Sequence, residues 1–362
     1  MIVKNESAVI ARCLESVRDL IDYWVVSDTG SDDGTQDLVR AALEGVPGEL
    51  HEEPWVDFGH NRTLNVRRAR GKADYLLLVD ADMVIRREGP LPVLGADAYM
   101  VRHSGATEYR IKRLVRGDLD WRYVGATHEY LDCDEPQRVA ELDAWVVDHF
   151  ADGGSRADKF VRDARLLRAD LERDPENTRT VFYLAQTLRD LGEREEAGAL
   201  YERRAAMGGW EEEVYYALLQ AGNLAADGGD WARGMDLLVR AWESRPRRLE
   251  AVYELASRLR LQGRYRTAHA LLEQVLDLPR PDDWLFVDGW VYEWGLLFEY
   301  SITSYWTGRP RESLEACDRL LALPGLPESY REQTRGNREF ARLRVAEDSG
   351  ADPQERRVRA AR

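Results

Sequence analysis

Cysteine is scarce in this chain of 362 residues: Cys13, Cys133 and Cys317 are odd in number and far apart, which excludes a disulfide framework and a zinc knuckle. Burial as a small hydrophobe is the common fate of such residues, and a catalytic thiol the rarer one. No apolar run reaches the length of a membrane span, and Met1-Ile2-Val3-Lys4-Asn5-Glu6 lacks the anatomy of a signal peptide. The expected location is the cytoplasm. Positive charge is also short, with 51 Lys and Arg against 66 Asp and Glu and a formal net charge of −15. That imbalance opposes binding to nucleic acid or to an anionic membrane, either of which needs a basic face. What the chain does have is length, which predicts two or three domains, and abundant Trp and Tyr, suited to packed cores or ring-binding surfaces.

The stretch Tyr75-Leu76-Leu77-Leu78-Val79-Asp80-Ala81-Asp82 organises the first half. Its apolar run predicts a parallel strand buried on both faces, with Asp80 and Asp82 at the end. In an extended chain residues i and i+2 point to one side, so the two carboxylates are expected to converge there. Ligands of open α/β sheets bind beyond the carboxyl ends of the strands, and paired oxygens at such an edge suit a hard divalent cation shared with a diphosphate. The plainer alternative is that Asp80 ends the strand and Asp82 starts a turn.

Met1 to Val3 predict a short first strand, one that looks trimmed at its start, followed by a helix with Val9, Ile10, Leu14 and Val17 on one face. Tyr23-Trp24-Val25-Val26-Ser27 predicts a second strand, which runs into the polar turn Asp28-Thr29-Gly30-Ser31-Asp32-Asp33-Gly34-Thr35 and then a helix. Strand, Gly-containing turn and helix form a phosphate-site arrangement, but this turn is neither G-x-G-x-x-G nor a Walker loop. It is not an EF-hand loop either, because Gly30 stands where an oxygen ligand is needed and no Glu closes it. Asp28 is placed to accept hydrogen bonds from a base or ribose, and Asp32 or Asp33 to cap the helix. Further on, Arg62 can meet a phosphate or base, Trp121 can stack on a sugar or fill the core, and Glu129 can act as a base or pair with Arg110 or Arg113. His149 closes a strand, as a structural histidine or as a metal ligand.

Together, Met1-Ile2-Val3-Lys4-Asn5-Glu6, Val26 to Thr35 and Leu78-Val79-Asp80-Ala81-Asp82 resemble the family 2 glycosyltransferases of GT-A fold, in the family's order and at its spacing. The resemblance implies a Rossmann-like, mostly parallel sheet and transfer from a nucleotide sugar, a UDP-sugar being favoured, with inversion at the anomeric carbon. It further implies that Asn5, Glu6 and Asp28 line the nucleotide pocket, with Arg62 near it. Asp80 and Asp82 would form an Asp-x-Asp site for Mn²⁺ or Mg²⁺, His149 would complete it, and Glu129 would be the catalytic base.

After Gly153-Gly154-Ser155 the strand signals stop, and Ser155 is a plausible N-cap for a helix through Phe160, Ala164, Leu167 and Leu171. Helical pairs follow, turning at Gly192, Gly228-Gly229, Gly263 and Gly308, with one longer insertion around Pro279 to Asp283. This is a tetratricopeptide pattern, whose pairs cannot bury their apolar faces alone and must stack into a solenoid. The expected division is a GT-A domain over 1–154, an all-α solenoid over 155–347 and a flexible tail over 348–362. The whole resembles family 2 glycosyltransferases that carry a tetratricopeptide tail, some of which glycosylate peptide side chains. The solenoid is expected to hold a peptide or protein acceptor, cap the enzyme or form a homodimer. The alternative is a non-catalytic peptide-binding scaffold with a degenerate nucleotide-binding domain.

Overall fold

The computed structural model describes residues 1–104, 109–150, 152–153 and 159–348. The expected N-cap at Ser155 and the tail after Asp348 lie outside the described residues. The chain divides into two compact units, Met1–Thr187 and a second that begins at Leu188.

In the first unit, β1 (Ile2–Val3), β2 (Trp24–Asp28) and β3 (Gly48–Glu52) form a parallel three-stranded sheet. Its crossovers are α1 (Ile10–Val17) and α2 (Thr35–Ala42), and Ile10, Cys13, Leu14 and Val17 line the buried face of α1. After α3 (Phe58–Ala69) comes a five-stranded sheet built from β4 (Tyr75–Leu77), β5 (Met83–Arg87), β6 (Ala98–Ser104), β7 (Tyr109–Arg116) and β10 (Val139–His149), in the order β4-β7-β6-β10-β5. A small ribbon pairs β8 (Arg122–Val124) with β9 (Tyr130–Asp132).

The expected mostly parallel sheet is corrected to a mixed one. Only β6 and β10 run parallel in the five-stranded sheet, and its other pairings are antiparallel. The reason is local: strands such as β6 and β7 follow each other with only short connections, and a parallel pairing would need a helical crossover between them. The expectation that Tyr75 to Val79 is buried on both faces also fails in part. Among the described residues strand β4 pairs on one side only, with β7, and a cavity of about 270 Å³ lined by Val25, Val26, Leu76 and Leu78 opens beside it. Tyr75, Leu77 and Leu78 are accordingly only half-buried. The α-amino group of Met1 is buried beside the cavity, bonded to the Val25 carbonyl and Asn65 Oδ1, and burial lowers its pKa to about 6.

Two helices, α4 (Lys159–Arg173) and the main part of α5 (Thr178–Leu191), belong to this first unit. Among its described residues the second unit has helices and no strand: α6 (Arg194–Ala206), α7 (Glu211–Asp227), α8 (Trp231–Ser244), α9 (Glu250–Leu261), α10 (Tyr265–Val275), α11 (Leu296–Trp306), α12 (Pro310–Ala322) and α13 (Glu328–Asp348). Each of these helices packs on the next, and α7, α9, α11 and α13 also touch in series, which is the stacking of a solenoid. Gly192, Gly229, Gly263 and Gly308 turn the chain with positive φ, a conformation that glycine adopts without strain. The insertion between α10 and α11 is anchored: Arg245 and Arg248 pair with Asp283, and Glu212 accepts the N–H groups of Trp284 and Leu285. No helix among the described residues is long and apolar enough to cross a membrane. All three cysteines are free and buried, and burial pushes the Cys13 thiol up to about 12.

Candidate active site

The loops leaving β1 and β2 are bound to each other. Asn5, at φ 54°, donates its N–H to Ser31 Oγ and accepts from the Asp32 N–H through its side chain. Glu6 N–H donates to Thr35 Oγ1, and Ser7 N–H to Asp33 Oδ2. Asn5 therefore spends its amide oxygen on the turn itself. Asp28, only 1% exposed, accepts from Gly30 N and Ser31 N through Oδ1, both at 2.7 Å, while its Oδ2 has no hydrogen-bond partner among the described residues. A buried carboxylate oxygen without a partner is costly, and a ligand donor would relieve it.

At the end of β4 the two carboxylates separate. The chain turns there, Met83 N–H donating to the Asp80 carbonyl at 3.1 Å, so the extended geometry expected to set Asp80 and Asp82 side by side is absent. Asp80 faces inward. Its Oδ1 lies 2.6 Å from Arg62 Nη1 and its Oδ2 3.6 Å from Arg113 Nη1. Burial raises the Asp80 pKa, but the two guanidinium groups outweigh it and hold the carboxyl well below the usual range. Asp82 instead lies 3.2 Å from His149 Nε2, because β10 and β5 pair with His149 opposite Met83. Gly153 leaves the space between Asp82 and Glu6: a Cβ there would lie 3.0 Å from Glu6 Oε2 and 3.4 Å from Asp82 Oδ2.

Glu129 lies on the loop between β8 and β9, with its Oε1 2.7 Å from Arg62 Nε. Arg62, carried by α3, thus joins Asp80 to Glu129, and the three side chains are only 17%, 23% and 13% exposed. Burial pushes the Glu129 carboxyl above its ordinary value, against the opposing charge of Arg62. The expected alternative partners are elsewhere engaged: Arg110 pairs with Asp143, and Arg113 reaches His103 and Asp80.

Trp121 is corrected to a core residue. It is fully buried, packs in one apolar cluster with Val66, Leu76, Val115 and Cys133, and donates its indole N–H to the Arg116 carbonyl. No face is left for a sugar. Trp121→Ala is expected to cost about 3–5 kcal/mol, read as a lowered midpoint in urea unfolding. The pairing of Arg113 with Asp80 and the approach of Gly153 to Glu6 and Asp82 carried no sequence signal, because each joins residues distant in the chain.

Residues 1–95 match the family model described as Glycosyl transferase family 2. Over this first segment the chain is therefore similar to family 2 glycosyltransferases, and a series of packed helices follows it. Among curated relatives, a TPR repeat-containing protein of Synechococcus elongatus is 29% identical over 241 residues, covering 60% of this chain and 59% of the relative. The SPbeta prophage-derived glycosyltransferase SunS of Bacillus subtilis is 24% identical over 220 residues, 54% of this chain and 50% of that protein. The chain thus spans about half to three fifths of the length of these relatives. Among solved structures, MamA is similar at 17% identity and a TM-score of 0.38 over 50% of this chain and 95% of its own. A tetratricopeptide repeat protein from Parabacteroides merdae is similar at 15% identity and a TM-score of 0.38 over 53% of this chain and 70% of its own.

Proposed function

We propose that the protein is a glycosyltransferase that moves a sugar from a nucleoside-diphosphate sugar to an acceptor, with inversion and with a divalent cation. The observation that carries this reading is the shielded Glu129–Arg62–Asp80 group beyond the end of β4, and a buried Asp28 at the end of β2 whose Oδ2 has no hydrogen-bond partner among the described residues supports it. A single displacement needs a base to take the acceptor's proton as the acceptor attacks, and Glu129 has the burial and raised pKa of such a base. Asp28 Oδ2 would accept a hydrogen bond from the nucleoside.

Among the described residues no group of three or more His, Cys, Asp or Glu is arranged to hold a metal ion alone. Asp82 and His149 nevertheless offer one oxygen and one nitrogen ligand at adjacent positions, with Glu6 nearby. Two protein ligands suit Mn²⁺ or Mg²⁺ whose remaining positions are filled by diphosphate oxygens and water. When bound, the ion would neutralise charge building on the leaving diphosphate. The helical region, being a solenoid, is suited to seat a peptide or protein acceptor.

The test is a thermal-shift series with UDP, GDP, dTDP and CDP, each with Mn²⁺, Mg²⁺ or chelator. A ligand bound only by the folded state raises Tm with its concentration relative to Kd. One nucleotide is expected to give a metal-dependent shift, and slow hydrolysis of the matching nucleotide sugar should accompany it. Asp28→Ala is expected to reduce that shift to the level of a nonbinding nucleotide, and a full shift would remove Asp28 from the pocket. The two-residue β1 and the cavity beside β4 favour the scaffold reading instead. Absence of any nucleotide shift would carry that reading.

A further inference from the structure

The residues that flank the proposed base are held by a helix from beyond the sheets. Glu129 lies at the end of the loop 125–129, between β8 and β9. On one side this loop rests against the start of α3, where Phe58 N–H donates to the Ala126 carbonyl at 3.0 Å. The approach is close enough that a Cβ on Gly59 would lie 2.2 Å from the Gly125 carbonyl oxygen. On the other side stands α5. Arg179 donates from Nε and Nη2 to the His128 carbonyl at 3.2 and 2.8 Å. The same guanidinium lies 4.9 Å from the Tyr130 ring and 4.8 Å from the Tyr183 ring, and the His128 ring stacks on Tyr183 at 4.2 Å with 6° between planes.

One arginine therefore grips both neighbours of Glu129. His128 needs the grip, because its φ of 52° puts a residue with a Cβ in the left-handed region. Such a conformation is strained and persists only where surrounding contacts over-determine it. Reversal of the backbone at His128 is also what sets the direction in which the Glu129 side chain leaves the loop. A relaxed loop would let the carboxylate drift by a fraction of the distance that matters for proton transfer.

We propose that Arg179 and Tyr183 are positioning residues for Glu129, so that α5 is a working part of the catalytic unit. The proposal rests on the transferase reading above and extends it to residues outside the family 2 segment. It is consistent with the compact unit that holds the site running to Thr187. Neither side chain touches donor or acceptor in this role. Arg179 acts through the His128 carbonyl and Tyr183 through the His128 ring.

The experiment uses the full chain with Arg179→Ala, Arg179→Lys and Tyr183→Ala. Steady-state turnover of the nucleotide sugar found by thermal shift is measured together with Tm and with amide hydrogen exchange of the Gly125–Leu131 segment. The alanine variants are expected to lower kcat at least tenfold while donor KM stays within about twofold, since Asp28 and Asp82 are untouched. Arg179→Lys, which keeps the charge and a donor, should recover several-fold over Arg179→Ala. Exchange in Gly125–Leu131 should rise in the alanine variants. Equal losses in kcat and donor binding that follow Tm would overturn the proposal, as would wild-type kcat in Arg179→Ala. If the wild-type protein turned over no donor, the transferase reading would fall, and the exchange data alone would judge the clamp: unchanged protection in Arg179→Ala would overturn it.

Discussion

Glu129→Gln is expected to lower kcat by about 10²–10⁴-fold, the range that a positioned general base contributes. The amide has nearly the shape of the carboxylate and can still meet Arg62, but it cannot take a proton from the acceptor. Burial raises the pKa of Glu129, and Arg62 only partly offsets this. A base must be deprotonated to act, so kcat/KM of the wild-type protein should fall as pH drops through a value above the ordinary glutamate range. That acidic limb should vanish in Glu129→Gln. The linkage to stability has the opposite sign from that of a salt-bridged acid. With its folded pKa above the unfolded one, ionised Glu129 costs stability at neutral pH, so the amide should not lower Tm on this account. A variant with wild-type kcat and an unaltered pH profile would transfer the base role to another carboxylate.

Asp82→Ala is expected to reduce metal-dependent turnover on the order of 10³-fold, because a cation at the diphosphate supplies several kcal/mol to the transition state and each 1.36 kcal/mol is tenfold in rate. The readout that does not depend on turnover is the nucleotide thermal shift. Its Mn²⁺- or Mg²⁺-dependent part should disappear in Asp82→Ala, as it does for the wild-type protein with chelator. Asp80→Ala should behave differently, since Asp80 meets Arg62 and Arg113 rather than His149. Removing it leaves Arg62 paired with Glu129 alone and takes from Arg113 its carboxylate partner in a shielded site, so the loss should include Tm as well as rate. A metal-dependent shift that survives in Asp82→Ala would exclude this aspartate as a ligand.

The residues of the site differ in how far their sequence context announced them. Asp28, Asp80 and Asp82 were legible because each follows an apolar strand, and a strand end in an α/β sheet is where ligands bind. Their partners were not legible. Extended geometry suggested one paired site at Asp80 and Asp82, whereas the turn at Asp80–Asp82 sends one carboxylate to α3 and the other to the end of β10. Trp121 shows the same limit. Its composition suits a sugar platform or a core equally, and only its burial decided.

The sequence by itself determined the order of elements and the two kinds of periodicity. It therefore determined an α/β first part bearing acidic strand ends, and a second part of stacked helical pairs turning at glycines. These are local properties, written in spacing and in backbone permissiveness. The tertiary structure alone decided that the sheet is mixed, that Arg62 bridges Asp80 and Glu129, and that α5 reaches the loop beside the base. Each of these joins residues distant in the chain: 49 positions separate Arg179 from Tyr130, by their numbers, and 67 separate His149 from Asp82. Pairing of strands and docking of helices fix such contacts through burial and complementary charge, and neither leaves a pattern in neighbouring residues.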